Sequence, residues 1–314
     1  MTEAATRVLV TGASGFVGRR VVARLAEAGF AVRVLARPNS GRPLASGRRG
    51  DLEIALGDVT DAASVAEAAR GCTAAIHLVG ILREHGASTY QAVHVQGAEN
   101  VVAACRSAGV RRLVHMSALG AGRGSTTGYF RSKEAAEEIV RPSGLDWTIL
   151  RPSVIHGPQG EFMIEMARMV ARPGPVPLVG RGRQVLQPIW VDDVARVFVE
   201  ALRRDATVGR TYEVAGPDVL ALREFYTIVS RVLLGREKTL VSVPAFLVRA
   251  GAAAAAMTLA HPPVTRDELR MLEESRPCDI RPMVEAFGFE PARFEETLAA
   301  YAPELKAAAG ISLG

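Results

Sequence analysis

The chain has 314 residues, 48% of them hydrophobic and 23% charged, ordinary values for a folded protein of about two domains. That composition excludes a disordered, collagen-like or disulfide-stapled chain. The three scattered cysteines (Cys72, Cys105, Cys278) lack zinc-ligand spacing and fit a reducing, cytoplasmic compartment. Lys and Arg together number 38 against 33 acids, a net charge of +5, and only Lys133, Lys238 and Lys306 among them are lysines.

Arg7–Thr11 is a short apolar run that stops at a glycine cluster, Thr11-Gly-Ala-Ser-Gly-Phe-Val-Gly18. From Gly15 to Ala28 the apolar residues Phe16, Val17, Val21, Val22 and Leu25 recur at helical spacing, and Gly29 supplies the stop. Phe30–Ala36, Leu52–Leu56 and Ala74–Val79 are expected to be strands, with a helix over Thr60–Arg70. Tyr90, His94, Gly97, Val101 and Cys105 mark one face of a longer helix closed by Gly109. A strand over Val110–Met116, a helix over Tyr129–Val140 and a strand over Trp147–Leu150 follow. Strands alternating with helices in this way predict a Rossmann-type, doubly wound α/β parallel sheet over residues 1–151.

After Arg151-Pro152 the rhythm changes. Pro173, Pro175 and Pro177 predict a long loop, Gln187–Trp190 and Thr211–Val214 are sheet-compatible, and Leu220–Tyr301 is mostly helical. Residues 185–215 are expected to return to the first domain. Residues 152–184 and 216–314 then form a smaller helical domain for substrate or partner. Val243–Ala260 is apolar but interrupted by Arg249 and built largely of alanine, so a packed helix is expected there, not a membrane span. Met1–Thr6 has no signal-peptide layout.

Glycines at 12, 15 and 18, between a strand and a helix, suit a dinucleotide pyrophosphate. Gly12 permits the tight turn, Gly15 lets backbone N–H groups approach, and Gly18 lets helix and strand pack closely, with Ser14 and Phe16 on the same turn. The helix N-terminus adds a field that favours phosphate. An NAD site places an acid at the end of the second strand, yet Phe30–Gly50 holds no Asp or Glu and instead has Arg33, Arg37, Arg42, Arg48 and Arg49. Arg37 directly follows the strand and suits a 2′-phosphate, which favours NADP(H) over NAD(H). The other arginines form no stripe with stacking aromatics, and aromatics are only 5%, so no nucleic-acid partner is expected.

Tyr129 and Lys133 form YxxxK at a predicted helix start, so one turn brings both to one face. A nearby ammonium favours phenolate and is expected to lower the tyrosine pKa, making it an acid/base for a carbonyl–alcohol pair. The bland alternative is a surface helix on which Lys133 pairs with Glu137.

The GxxGxxG spacing together with YxxxK resembles the extended branch of the short-chain dehydrogenase/reductase superfamily over most of the chain. In that resemblance Gly57-Asp58-Val59 is the adenine-contacting turn. His77-Leu78-Val79-Gly80 is the segment beside ribose and nicotinamide, and Lys133 also holds the ribose. Leu150-Arg-Pro152 and Val191-Asp-Asp-Val194 match two further landmarks of the branch.

The chain also departs from the family pattern. In His115-Met-Ser-Ala-Leu-Gly120, Ser117 takes the first serine place, while Leu119 stands where the catalytic hydroxyl is expected. Ser125, Thr126 and Thr127 are candidate substitutes. His94 replaces the family's helix asparagine and reads as a hydrogen-bonded core histidine. Leu186 stands where sugar-nucleotide epimerases carry a diphosphate-gripping arginine, with Arg181 and Arg183 nearby.

These features look most like the atypical group that includes the nucleotide-binding accessory subunit of mitochondrial complex I. Three functions follow from the resemblance: an NADP(H)-dependent reductase, a non-catalytic assembly, redox-sensing or quinone-associated component, and a sugar-nucleotide epimerase. The implied partners are a small-molecule or quinone-like ligand, a second copy of the chain, and a membrane surface contacted peripherally without a transmembrane segment.

Overall fold

A computed structural model describes residues 6–38, 52–244, 246 and 265–311. Arg42, Arg48, Arg49 and most of Val243–Ala260 lie outside the described residues. The chain divides into two compact units: Met1–Pro152 with Val191–Val214 and Arg281–Phe289, and Ser153–Trp190 with Ala215–Ile280 and Glu290–Gly314.

The first unit is built on seven parallel strands, β1 (Arg7–Thr11), β2 (Ala31–Ala36), β3 (Leu52–Leu56), β4 (Ala74–His77), β5 (Arg112–Met116), β6 (Asp146–Pro152) and β7 (Arg210–Val214). Their order across the sheet is β7-β6-β5-β4-β1-β2-β3. It reverses between β4 and β1, so the crevice at their carboxyl ends is the ligand position of an open α/β sheet. The central strands are covered on both faces and therefore read as unbroken apolar runs, such as Val8-Leu9-Val10 and Ala74-Ala75-Ile76. The edge strand β3 instead exposes Ile54 and Leu56.

Helices α1 (Phe16–Glu27), α2 (Ala62–Ala69), α3 (Gly97–Ala108), α4 (Gly128–Val140), α5 (Val191–Arg203) and α6 (Arg281–Phe287) complete this unit. Each buries an apolar stripe. Val21, Val22 and Leu25 of α1 are at most 3% exposed, and Val65, Val101, Cys105 and Val140 from α2, α3 and α4 join Leu9, Leu113 and Ile149 of the sheet in one core. The thiols of Cys72 and Cys105 are free and buried there, and burial raises the pKa of both, that of Cys105 to about 12.

Two local readings change. The strand expected to reach Val79 ends at His77, because its neighbour β1 ends at Thr11 and the register pairs Thr11 with His77. The helix expected from Tyr90 onward begins as a π-helical turn, Gln91–Gln96, before α3. Its wider winding is invisible to a 3.6-residue period and recurs at functional sites.

In the second unit the helices Glu161–Ala171, Leu222–Leu234 and Phe294–Ala309 enclose Met163, Phe225, Leu298 and Tyr301. The proline-rich stretch is less of a loop than its composition implies: Val176–Val179 forms a strand parallel to Leu240–Val243, with Val176 and Leu178 buried. Gln187–Trp190 is likewise divided. Val185–Leu186 pairs with Leu220–Ala221, and Ile189–Trp190 pairs with Ile155–His156. Leu186 is packed in the apolar core of this unit. Among the described residues, no helix is long and apolar enough to cross a membrane.

Candidate functional site

The glycine turn leaves β1 at the reversal of strand order. Gly12 has φ +79°, in the left-handed region, and a Cβ there would lie 2.9 Å from Val79 N. At Gly18 a Cβ would meet Gly12 O at 2.1 Å. Gly15 N–H donates to Gly12 O at 3.1 Å and then serves as N-cap of α1. That N-terminus has neither a side-chain cap nor an acid in its first turn, so its backbone donors are available to an anion. A narrow, uncapped backbone cradle of this kind fits a dinucleotide pyrophosphate. Gly18→Ala is expected to weaken NADPH binding by about a hundredfold or more, read by fluorescence titration. Unchanged affinity would remove the turn from the site.

At the other end of the crevice, Asp58 Oδ1 accepts bonds from Thr60 N at 2.9 Å and Thr60 Oγ1 at 2.8 Å. Asn100 Nδ2 donates to Val59 O at 2.9 Å, tying the turn to α3. Arg37 lies beside it, its Nε 4.0 Å from Asp58 Oδ2 and its side chain 67% exposed. Arg33, grouped with Arg37 by sequence, plays a different part. Its guanidinium is turned under the sheet, donates to Ala68 O at 3.0 Å and to Arg70 O, and pairs with Glu53 at 2.9 Å. It fastens α2 and β3 and does not face a phosphate.

Leu78, Val79 and Gly80 continue from β4 past Gly12. His77 Nδ1 bonds Thr11 Oγ1 at 2.6 Å and its ring stacks on His115 at 5.2 Å. Burial and the Lys133 charge push the pKa of His77 down to about 3. Burial, with His77 and Lys133, holds that of His115 well below the usual value. Both rings are neutral at physiological pH.

Thr127 caps α4 by accepting from Phe130 N at 3.3 Å, which starts the helix just before Tyr129. Lys133 is 2% exposed and its Nζ donates to Met116 O at 3.1 Å. A Cβ on Gly80 would come within 2.9 Å of that Nζ, so the ammonium rests on the Gly80 backbone. Burial lowers the pKa of Lys133 to about 8 against the opposing charge of Glu137. The surrounding rings of Tyr90, His94 and Phe130 shield Tyr129. Burial, then Tyr90, raises its phenol pKa, opposite to the lowering expected from the lysine alone.

The Lys133–Glu137 pairing weighed from sequence does not form. Glu137 is fully buried and instead takes Arg151 in a two-point bond, Nε–Oε1 and Nη2–Oε2 both 2.7 Å, with Arg141 as a second partner. Ser117 N–H donates to Leu150 O at 2.7 Å, while its buried hydroxyl leans toward Glu137 without completing a well-formed bond. Leu119 opens a short strand, Leu119–Gly122. Ser125 Oγ lies 3.0 Å from Thr127 Oγ1.

Ser132 escaped the sequence reading, and Tyr90 and Glu137 entered it only as a helix-face residue and as a surface partner for Lys133. Ser132 carried a signal, since it lies inside the YxxxK turn. Glu137 did not, because its partner Arg151 comes from a strand 14 residues away.

A glycine cradle at the switch point of a parallel sheet, with a buried lysine one turn beyond a shielded tyrosine, defines a Rossmann protein built for a nicotinamide dinucleotide. The chain belongs to the NAD(P)H-binding family, whose sequence model matches residues 12–205, and within it to the extended, atypical short-chain dehydrogenase/reductase branch. It is 32% identical over 312 residues to the (4-alkanoyl-5-oxo-2,5-dihydrofuran-3-yl)methyl phosphate reductase of Streptomyces griseus, covering 95% of this chain and 100% of that protein. It is also 32% identical over 225 residues to the mitochondrial NADH dehydrogenase [ubiquinone] 1 alpha subcomplex subunit 9 of Arabidopsis thaliana. That match covers 70% of this chain but only 56% of the plant subunit. The solved structure of gox2253 superposes with a TM-score of 0.76 at 23% identity, over 97% of this chain and 99% of the other.

Proposed function

We propose that this protein is an NADP(H)-dependent reductase of a carbonyl group, with Tyr129 as proton donor, Lys133 as its electrostatic partner, and Gly12, Gly15, Gly18 and Arg37 holding the cofactor. The observation that carries the reading is the buried Lys133 ammonium. It lies against Gly80, in the segment that closes over Gly12, one helical turn from Tyr129. A bound nicotinamide supplies the hydride. The chain's own part is to orient the carbonyl, exclude water and deliver a proton from the Tyr129 hydroxyl. The likeness, over 95% of this chain, to a reductase of a dihydrofuranyl-methyl phosphate ester supports a reductase.

Leu119 favours a second reading. With the Ser117 hydroxyl turned toward Glu137, the hydroxyl usual beside the tyrosine is missing, which fits a cofactor-binding component with little turnover. The plant relative is a named subunit of a ubiquinone-linked NADH dehydrogenase. For the epimerase reading, Leu186 is core packing, which leaves the exposed Arg181 and Arg183 as the candidates to grip a diphosphate.

Arg37 is exposed and partly neutralised by Asp58, so a 2′-phosphate gains only a screened contact. NADPH is expected to bind about tenfold more tightly than NADH at low salt, and Arg37→Ala to erase the difference. Fluorescence titration with both nucleotides measures this. Equal wild-type affinities would overturn the NADP(H) preference.

A further inference from the structure

His94 stands in place of the family's helix asparagine, and its surroundings leave it no proton to move. Ile81 N–H donates to its Nε2 at 2.9 Å, so that nitrogen carries no hydrogen. Its Nδ1 lies 2.7 Å from Ser132 Oγ, and the Ser132 hydroxyl is already donated to Tyr129 O at 2.7 Å. The serine oxygen must therefore accept, and the hydrogen sits on Nδ1. Both ring nitrogens are committed to a single tautomer. A second ring proton would face the Ile81 N–H head-on.

The three bonds join three separate pieces of chain: the loop after β4, the π-turn that carries His94, and the first turn of α4. Tyr90, at the entry to the same π-turn, completes the strap. Its ring stacks on His94 at 5.4 Å, stands edge-on to Tyr129 at 6.1 Å, and its hydroxyl donates to Leu82 O at 2.7 Å. The loop is thus held by its Ile81 amide and its Leu82 carbonyl. Gly80, just before them, is the residue on which Lys133 rests, and a Cβ there would also approach His94 Nε2 to 3.4 Å.

We propose that His94 is a positioning residue, a fixed neutral imidazole that fastens the Gly80–Leu82 loop to the Tyr129–Lys133 turn and takes no part in proton transfer. The proposal builds on the Tyr129–Lys133 reading above. Of the groups around the ring, the Lys133 ammonium on α4 disfavours a positive charge there, His77 on β4 and His115 on β5 are themselves neutral, and burial keeps the Tyr129 phenol protonated. Burial, followed by the Lys133 charge, lowers the His94 pKa far below the physiological range.

The direct test is a nitrogen-15 histidine spectrum of the wild-type protein without cofactor. His94 is expected to show a bare Nε2 and a protonated Nδ1, unchanged between about pH 5 and about pH 8. A ring that titrates in that window, or the opposite tautomer, would overturn the proposal. Two variants test the strap itself. His94→Gln can still present an acceptor to Ile81 N–H, whereas the shorter His94→Asn keeps only the Ser132 side. His94→Asn is expected to weaken NADPH binding about tenfold and His94→Gln about threefold or less. Wild-type affinity in His94→Asn would also overturn it. A wild-type protein that binds neither NADPH nor NADH defeats the cofactor reading instead, and the ring spectrum then decides the His94 assignment by itself.

Discussion

Tyr129→Phe is expected to bind NADPH within about twofold of wild type while losing about 10²–10⁴ in reductase turnover. The asymmetry follows from the hydroxyl's surroundings. The ring is held by Tyr90, His94 and Phe130, and phenylalanine preserves those contacts. Only the phenol oxygen, the proposed proton donor, is removed. Burial raises the pKa of that phenol, so it carries its proton at neutral pH, the state a proton donor needs, although it is a weaker acid than a free tyrosine. The pH dependence has a definite sign. The ammonium of Lys133 exists below its pKa of about 8, so turnover should fall as pH rises through that value. Steady-state rates of Tyr129→Phe on a carbonyl substrate, with a wild-type pH profile, measure both effects. Substantial activity in Tyr129→Phe would assign the proton to another donor.

Much of this site was legible because local chemistry wrote it. The glycine turn needs small residues wherever backbone meets backbone, and Gly18 against Gly12 O is such a place. Scarcity of lysine made Lys133, four residues beyond Tyr129, stand out. The illegible parts are long-range or depend on small changes of phase. Arg33 and Arg37 look alike in sequence. One points from mid-strand onto the carbonyls of α2, and the other leaves the strand end toward Asp58. The π-turn at Gln91–Gln96 shifts the helix phase just where His94 must face Ser132. A phenol pKa depends on everything that surrounds it, and the YxxxK spacing describes only the lysine. Burial, with Tyr90 beside it, reverses the expected shift.

The same dependence on distant partners makes Glu137 the residue whose loss should cost most in stability. Its carboxylate is fully buried between α4 and β6, bonded to Arg151 through both oxygens and to Arg141. Glu137→Gln keeps the shape but strands the Arg151 guanidinium, whose side chain is only 14% exposed. Leaving one member of a buried pair uncompensated costs about 3–5 kcal/mol. Hydrogen bonds from Arg151, with the charges of Arg151 and Arg141, outweigh desolvation and hold the Glu137 pKa below the ordinary carboxylate range. A carboxylate depressed in this way contributes stability that is present above its unfolded pKa of about 4.3 and lost as pH falls through the folded value. Urea unfolding at neutral pH should therefore show Glu137→Gln destabilised by about 3–5 kcal/mol, with a shallower acid loss than wild type. The double variant Glu137→Leu/Arg151→Met should recover much of the difference, since apolar packing replaces both charges together. A single variant within about 1 kcal/mol of wild type, or an unchanged acid slope, would mean that the pair contributes geometry without net stability. A further consequence reaches the site. The Glu137 charge is what raises the Lys133 pKa against burial, so removing it should move the alkaline loss of turnover to lower pH even in a variant that still folds.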